Sequence, residues 1–165
     1  TPDELADDGR GGPDVLDEFF IPEYRRIFGF YKDRGVLIGF HSCGCIEGVL
    51  DMFMDLGVDV LNPVQATAND HDMVREKTQG RMALQGGIST AIIMDGPPER
   101  IEAEVRRKMW QLGRDGGYFC GPDQGLPFPE EHIAALAQAR EEYGRYPLGK
   151  PEGLQGTREG RNPPP

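Results

Sequence analysis

From Asp14 to Arg34 the apolar residues Val15, Leu16, Phe19, Phe20, Tyr24, Ile27, Phe28 and Tyr31 return at helical spacing, which predicts an amphipathic helix. Pro22 falls inside that run and is expected to break or kink it, while Asp14 can cap its start and Gly35 its end. The pattern then changes. Val36-Leu37-Ile38-Gly39-Phe40 is a short continuous apolar run of the kind that forms a buried parallel strand, and it stops abruptly on His41-Ser42-Cys43-Gly44-Cys45. A helix is predicted from about Ile46 to Leu56, closed by Gly57. The same order returns with Val58 to Val64, a strand ending at Asn62, and a helix from about Asp70 to Thr78. It returns again with Arg81 to Gly87, a loop, and a helix from Pro97 to Leu112, whose prolines suit a first turn and whose Gly113 suits a left-handed cap. A fourth strand, Gly117 to Gly121, precedes a last helix from about Pro129 to Tyr143.

Four strand–helix units in succession predict an α/β fold with a parallel sheet and right-handed crossovers. Two closures remain open at this point. The sheet is either an open doubly wound one or half of an eight-stranded (β/α) barrel, a fold that typically needs about 250 residues. A half barrel would expose two parallel edges. Residues 1–13 read as a flexible acidic, glycine-rich segment, 14–146 as the folded unit, and 147–165 as a proline- and glycine-rich tail with little to bury.

Charge narrows the partners. A net charge of −10 over 165 residues disfavours nucleic acid or an anionic membrane, both of which reward clustered Lys and Arg, and points to small molecules or protein surfaces. No apolar run approaches a spanning helix and the amino terminus lacks a signal-peptide pattern, so a cytoplasmic setting is expected. The three cysteines, Cys43, Cys45 and Cys120, do not make the even framework of a secreted scaffold and are read as reduced thiols.

His41 and Cys43 stand at the end of the first strand, and Cys120 is read at the carboxyl end of the fourth. In a parallel sheet these ends share one rim. An imidazole and two thiolates would give Zn²⁺ three protein ligands and one open position, the arrangement of a catalytic site, and bound zinc would hold a substrate thiol as thiolate. A buried free cysteine is also a common small hydrophobe, so Cys120 carries both readings. Cys45 is an alternative ligand or unused, and Glu47 a fourth ligand, a partner to one, or an acid favoured by a helix start. Asn62, Gln65, Gln85, Asp123 and Gln124 place polar groups on the same rim, with Asn62, Gln85 and Asp123 as candidate substrate contacts. Asp123 and Gln124 are also candidate turn-makers. Gly86-Gly87 would let the backbone approach a ligand closely or simply make a tight turn. His71 and His132 read as surface groups near helix starts, and Trp110 with Phe19, Phe20 and Phe28 as core or interface.

The motifs His41-Ser42-Cys43-Gly44, Asn62-Pro63-Val64-Gln65, Ala83-Leu84-Gln85-Gly86-Gly87-Ile88 and Cys120-Gly121-Pro122, in this order, resemble the carboxyl-terminal half of the uroporphyrinogen decarboxylase-like superfamily, from about Val15 to Tyr146. The resemblance is greatest to its cobalamin-dependent methyltransferase branch. It implies that the chain holds strands five to eight of a (β/α)₈ barrel, with Asp7-Asp8-Gly9 as the remnant of the turn after strand four. It further implies that His41, Cys43 and Cys120 are the zinc ligands and that the substrate is a small-molecule thiol. A methylcorrinoid (cobalamin) carried by a corrinoid protein would be the methyl donor or acceptor. The decarboxylase usually carries Gly-His-Gly in its strand-eight turn, where this chain reads Cys120-Gly121-Pro122-Asp123-Gln124-Gly125, which points away from tetrapyrrole decarboxylation. The amino-terminal half barrel is missing from this resemblance. A second copy forming a homodimer, or a separate half, is therefore an expected partner, and a non-catalytic assembly module a third reading.

Overall fold

A computed structural model describes residues 15–153; the readings placed on Asp14, on Asp7-Asp8-Gly9 and on the last residues of the tail lie outside them. A π-wound turn, Leu16–Phe20, runs directly into α1 (Ile21–Lys32). Pro22 lies in the first turn of α1, where its missing N–H costs nothing, so the irregular winding falls before it. The chain then alternates β1 (Gly39–His41), α2 (Leu50–Asp55), β2 (Val60–Asn62), α3 (His71–Thr78), β3 (Ala83–Ile88), α4 (Thr90–Asp95), α5 (Pro98–Gly113), β4 (Tyr118–Pro122) and α6 (Glu130–Tyr143). All three strand pairs are parallel and the order is β1-β2-β3-β4. A doubly wound sheet reverses its strand order at a switch point, and this one does not. The winding advances in one direction, as in a partial (β/α)₈ barrel.

Alternation along the strands gives the sheet two unlike faces. Phe40, Leu61, Leu84 and Tyr118 turn toward the helices, where Leu61 and Leu84 are fully buried. Phe40 is wedged among aromatic rings, with centroids 5.4 Å from Tyr24, 6.0 Å from Phe28 and 4.9 Å from Phe53. A second cluster of Ile88, Ile93, Ile101, Val105, Met109, Cys120, Leu136 and Ala139 joins β3 and β4 to α4, α5 and α6. Leu148, within the stretch read as tail, packs against this cluster. The opposite face presents His41, Asn62, Gln85 and Phe119, with Phe119 58 % exposed.

Several elements depart from the pattern-based reading. β1 starts at Gly39, and Val36 and Leu37, 45 % and 73 % exposed, precede it on the sheet edge with no described strand to pair with. The entry to β1 is fixed by polar contacts: Asp59 accepts from the Ile38 N–H at 2.7 Å and from Lys32 Nζ at 2.6 Å. The six residues of α4 occupy the stretch expected to be loop, and Ile93 anchors them in the second cluster. Gly113 belongs to α5 itself, and the left-handed residues lie beyond it at Gly116 and Gly117. Asp70 precedes α3 and caps it, accepting from the Asp72 and Met73 N–H groups. Among the described residues no helix is long and apolar enough to cross a membrane.

Candidate active site at the carboxyl ends of the strands

His41 closes β1 and Asn62 closes β2, and the parallel register sets them side by side. His41 Nδ1 lies 2.9 Å from Asn62 Oδ1. A carboxamide oxygen only accepts, so Nδ1 carries the hydrogen and Nε2 is left with its lone pair. That lone pair faces Cys43, whose Sγ is 3.3 Å from Nε2. The backbone reinforces the alignment, with the Ser42 N–H donating to the Asn62 carbonyl at 2.8 Å.

Carboxamides organise the turn that carries Cys43. Gly44 donates its N–H to Gln65 Oε1 at 2.9 Å, in the left-handed conformation that glycine adopts without strain. Asn69 bonds the carbonyls of Gly44 and Gln65 and accepts from the Ile46 N–H. Glu47 is engaged with the Asp70 N–H at the start of α3. Cys45 is exposed.

From the far side Gln124 reaches across, its Nε2 donating to Cys43 Sγ at 3.4 Å. It is delivered there by Asp123, a buried carboxylate that accepts from the Ala66 N–H at 3.0 Å, the Thr90 N–H at 2.9 Å and Thr90 Oγ1 at 2.6 Å. Asp123 thus ties together the loops after β2, β3 and β4, with its oxygens spent on the chain itself. In the sequence Gln124 reads, with Asp123, as a polar group beside Cys120 that is either a substrate contact or a turn-maker, and nothing in the spacing reveals its reach to Cys43. Gln85 lies on the open face beside Phe119, in register with it.

Cys120 is in a different environment, and the set His41, Cys43, Cys120 is corrected accordingly. β4 continues to Pro122, so Cys120 is a mid-strand residue rather than a strand-end one. It follows Phe119 by one position and turns to the helix side, into the second apolar cluster. Burial pushes its thiol up to about 11, opposed by the Tyr118 hydroxyl beside it. Among the described residues no three His, Cys, Asp or Glu side chains gather as an ion would require. The sulfur–nitrogen pair of His41 and Cys43 is one ligand short of a catalytic zinc site, and the group at the third corner is the Gln124 carboxamide. The residues present therefore do not fit the expected zinc centre.

Two other expectations change. Gly86 and Gly87 admit the chain's own packing rather than an open ligand site: a Cβ on Gly86 would come within 3.2 Å of the Pro63 Cβ, and one on Gly87 within 2.7 Å of Leu112 Cδ1. His71 is no surface group but is 2 % exposed, its Nδ1 accepting from Lys108 Nζ at 2.6 Å. Burial, with the Lys108 charge beside it, holds His71 down at about 4, and burial with Arg107 nearby brings Lys108 to about 8. His132 is half-buried and donates from Nδ1 to the Ile93 carbonyl.

The class is thus a parallel partial barrel with a thiol, an imidazole and carboxamides at the carboxyl rim of its strands. The family model for Uroporphyrinogen decarboxylase (URO-D) matches residues 9–143, and the chain belongs to that family. A uroporphyrinogen decarboxylase of Burkholderia mallei is 34 % identical over 73 residues, which is 43 % of this chain and 20 % of that protein. One from Edwardsiella ictaluri is 30 % identical over 92 residues, 54 % of this chain and 25 % of that protein. The matched stretch thus spans a fifth to a quarter of these relatives. Among solved structures, a methyltransferase from Methanosarcina mazei superposes with a TM-score of 0.67 at 22 % identity, covering 86 % of this chain and 40 % of that one. This likeness is one of fold.

Proposed function

We propose that this chain carries the reaction-centre half of a methyltransferase-type member of the family, in which a methyl group passes to a thiol at the His41–Cys43 rim. The observation that supports this reading is the 3.3 Å approach of His41 Nε2 to Cys43 Sγ, with Asn62 fixing the ring. Sulfur is a good nucleophile toward a saturated carbon, and an oriented imidazole is a suitable acceptor for a thiol proton. In the step proposed, the carbon–sulfur bond forms as the methyl–carrier bond breaks, and the bonding electrons stay on the carrier. A corrinoid is the carrier class to be tried first. His41 takes the thiol proton in this step, because the described residues do not complete a set of zinc ligands at the rim.

The test is methylcobalamin with dithiothreitol and the 165-residue chain, followed by the absorbance change on demethylation. Demethylation that disappears in Cys43→Ala is the expected result. Absence of Cys43-dependent methyl transfer overturns the reading. The names of the curated relatives favour a second reading, decarboxylation of a tetrapyrrole carboxylate. Turnover of uroporphyrinogen by the chain, unchanged in Cys43→Ala, would establish it instead.

The open face supports a further element of the proposal, that a second copy or a separate half barrel covers it. Leu37 and Phe119 are 73 % and 58 % exposed, and β1 and β4 each pair on one side only among the described residues. Light scattering at micromolar concentration should then show association, and a monodisperse monomer would argue against self-pairing.

A further inference from the structure

We propose that Cys43, His41, Asn62 and Gln124 form a covalent acyl-transfer site, with Cys43 as nucleophile toward an activated ester or thioester. The inference does not depend on whether the whole protein transfers methyl groups. It rests on an alignment of four side chains drawn from three strand ends: sulfur to Nε2 at 3.3 Å, Nδ1 to Asn62 Oδ1 at 2.9 Å, and Gln124 Nε2 to sulfur at 3.4 Å. Nucleophile, base and orienter thus stand in hydrogen-bonded succession, the arrangement that makes a thiol a catalyst whatever the fold that presents it. The hydrogen bond from Nδ1 to Asn62 determines which nitrogen is free to take the proton. The Gln124 amide brings N–H groups next to the sulfur, where charge would develop on the acyl oxygen.

The chemistry closes with these groups and water. Cys43 Sγ attacks the acyl carbon while its proton passes to His41 Nε2. The carbonyl π electrons move to oxygen and return as the carbon–oxygen or carbon–sulfur bond of the leaving group breaks. His41 gives the proton to that leaving group. A thioester on Cys43 remains. Water then attacks the thioester carbon, His41 takes the water proton and returns it to the departing Cys43 sulfur, and a carboxylic acid is released. No oxidant, reductant or metal enters the balance.

Cys45, exposed and two residues away, serves as an internal control for ordinary thiol reactivity. The experiment uses the 165-residue chain with p-nitrophenyl acetate in the presence of EDTA, reading p-nitrophenolate release and the acetyl group on each cysteine by fragment mass. A burst with the acetyl group on Cys43 is expected, at a rate at least about tenfold that of Cys45. His41→Ala should slow Cys43 acylation by roughly a hundredfold, and Gln124→Ala by roughly tenfold or more. Asn62→Ala should also slow it, and Asn62→Asp, which keeps an acceptor for Nδ1–H, should restore most of the rate. Cys45→Ser should leave the burst intact. Each variant is compared by circular dichroism so that a lost fold is not read as a lost base. Acylation of Cys43 no faster than of Cys45, a rate indifferent to His41→Ala, or no rescue by Asn62→Asp would each overturn the assignment.

Discussion

The helix side and the carboxyl rim of one four-stranded sheet treat their cysteines in opposite ways. Toward the helices, Cys120 is buried among aliphatic side chains, its thiol pushed up to about 11 by that burial. On the open rim, Cys43 meets an imidazole and a carboxamide. Neither residue is in a disulfide, but Cys43 stands in the turn after β1 and Cys120 lies inside β4. What separates them is this place relative to the strands. Cys43 lies two residues past the end of β1, on the rim, whereas Cys120 occupies a position inside β4 turned to the helices, since a one-residue step in a β-strand moves a side chain from one face to the other. The difference shows that sharing a rim in sequence terms is not enough for convergence. The side chain must also be in phase.

The largest test of this two-faced sheet compares adjacent residues of β3. Leu84→Ala should destabilise the fold by about 2–5 kcal/mol, because it empties a fully buried position against the helices. Gln85→Ala, on the open face, should move stability by about 0.5 kcal/mol or less. Urea unfolding followed by circular dichroism reads both, and equal losses would break the distinction between faces. Next in size is acid sensitivity on the helix side. His71 stays neutral down to about 4 when folded, against 6.5 for the free side chain, so the unfolded chain takes up the proton first. Stability should therefore fall as the pH drops from about 6.5 to about 4, by on the order of 2–3 kcal/mol. His71→Gln should flatten that slope. Lys108 adds a matching rise at the other end, between about 8 and 10.5, because its folded value lies below the free one.

The rim itself is tested by Asp123. Asp123→Ala leaves the N–H groups of Ala66 and Thr90 without their acceptor and the Thr90 hydroxyl with only its longer bond to the Gln124 carbonyl, a loss of about 1–3 kcal/mol, and should release Gln124 from Cys43. Asp123→Asn keeps an accepting oxygen and should lose less. Equal effects of the two variants in thermal unfolding would mean that the carboxylate does not staple the loops.

The order of strands and helices was legible from hydrophobic periodicity, and α3, α5 and α6 begin within a residue of their expected starts. Those helices carry strong local signals: an Asp cap before His71, a proline pair before Glu99, and Pro129 before α6. The pairing of His41 with Cys43 was legible too, since two residues beyond a strand end stay close to it. Three features were not. The face taken by Cys120 is set by the register of β4 against β3, in which it pairs with Gly86 on the side of Leu84 and Tyr118, and the run of apolar residues does not encode that register. The burial of His71 depends on α5 packing over α3, which brings Lys108 to it from 37 residues away. The approach of Gln124 depends on hydrogen bonds to Ala66 and Thr90 that hold Asp123, contacts between loops that no periodicity encodes.

The smallest effect is the most discriminating for the two thiols. If Cys120 is helix-side packing, Cys120→Ala should cost only about 1 kcal/mol and leave the reactivity of Cys43 unchanged. In the native protein iodoacetamide near neutral pH should label Cys43 and Cys45 and spare Cys120, because a thiol raised to about 11 and buried presents almost no thiolate. Urea should then open Cys120 to labelling in step with global unfolding. A shared ion would predict a different pattern. Cys43 and Cys120 would be protected together, a chelator would expose both at once, and Cys120→Ala would free Cys43. Mass spectrometry of the labelled peptides with and without EDTA separates these patterns, since only packing keeps Cys120 silent under native conditions while Cys43 reacts in both.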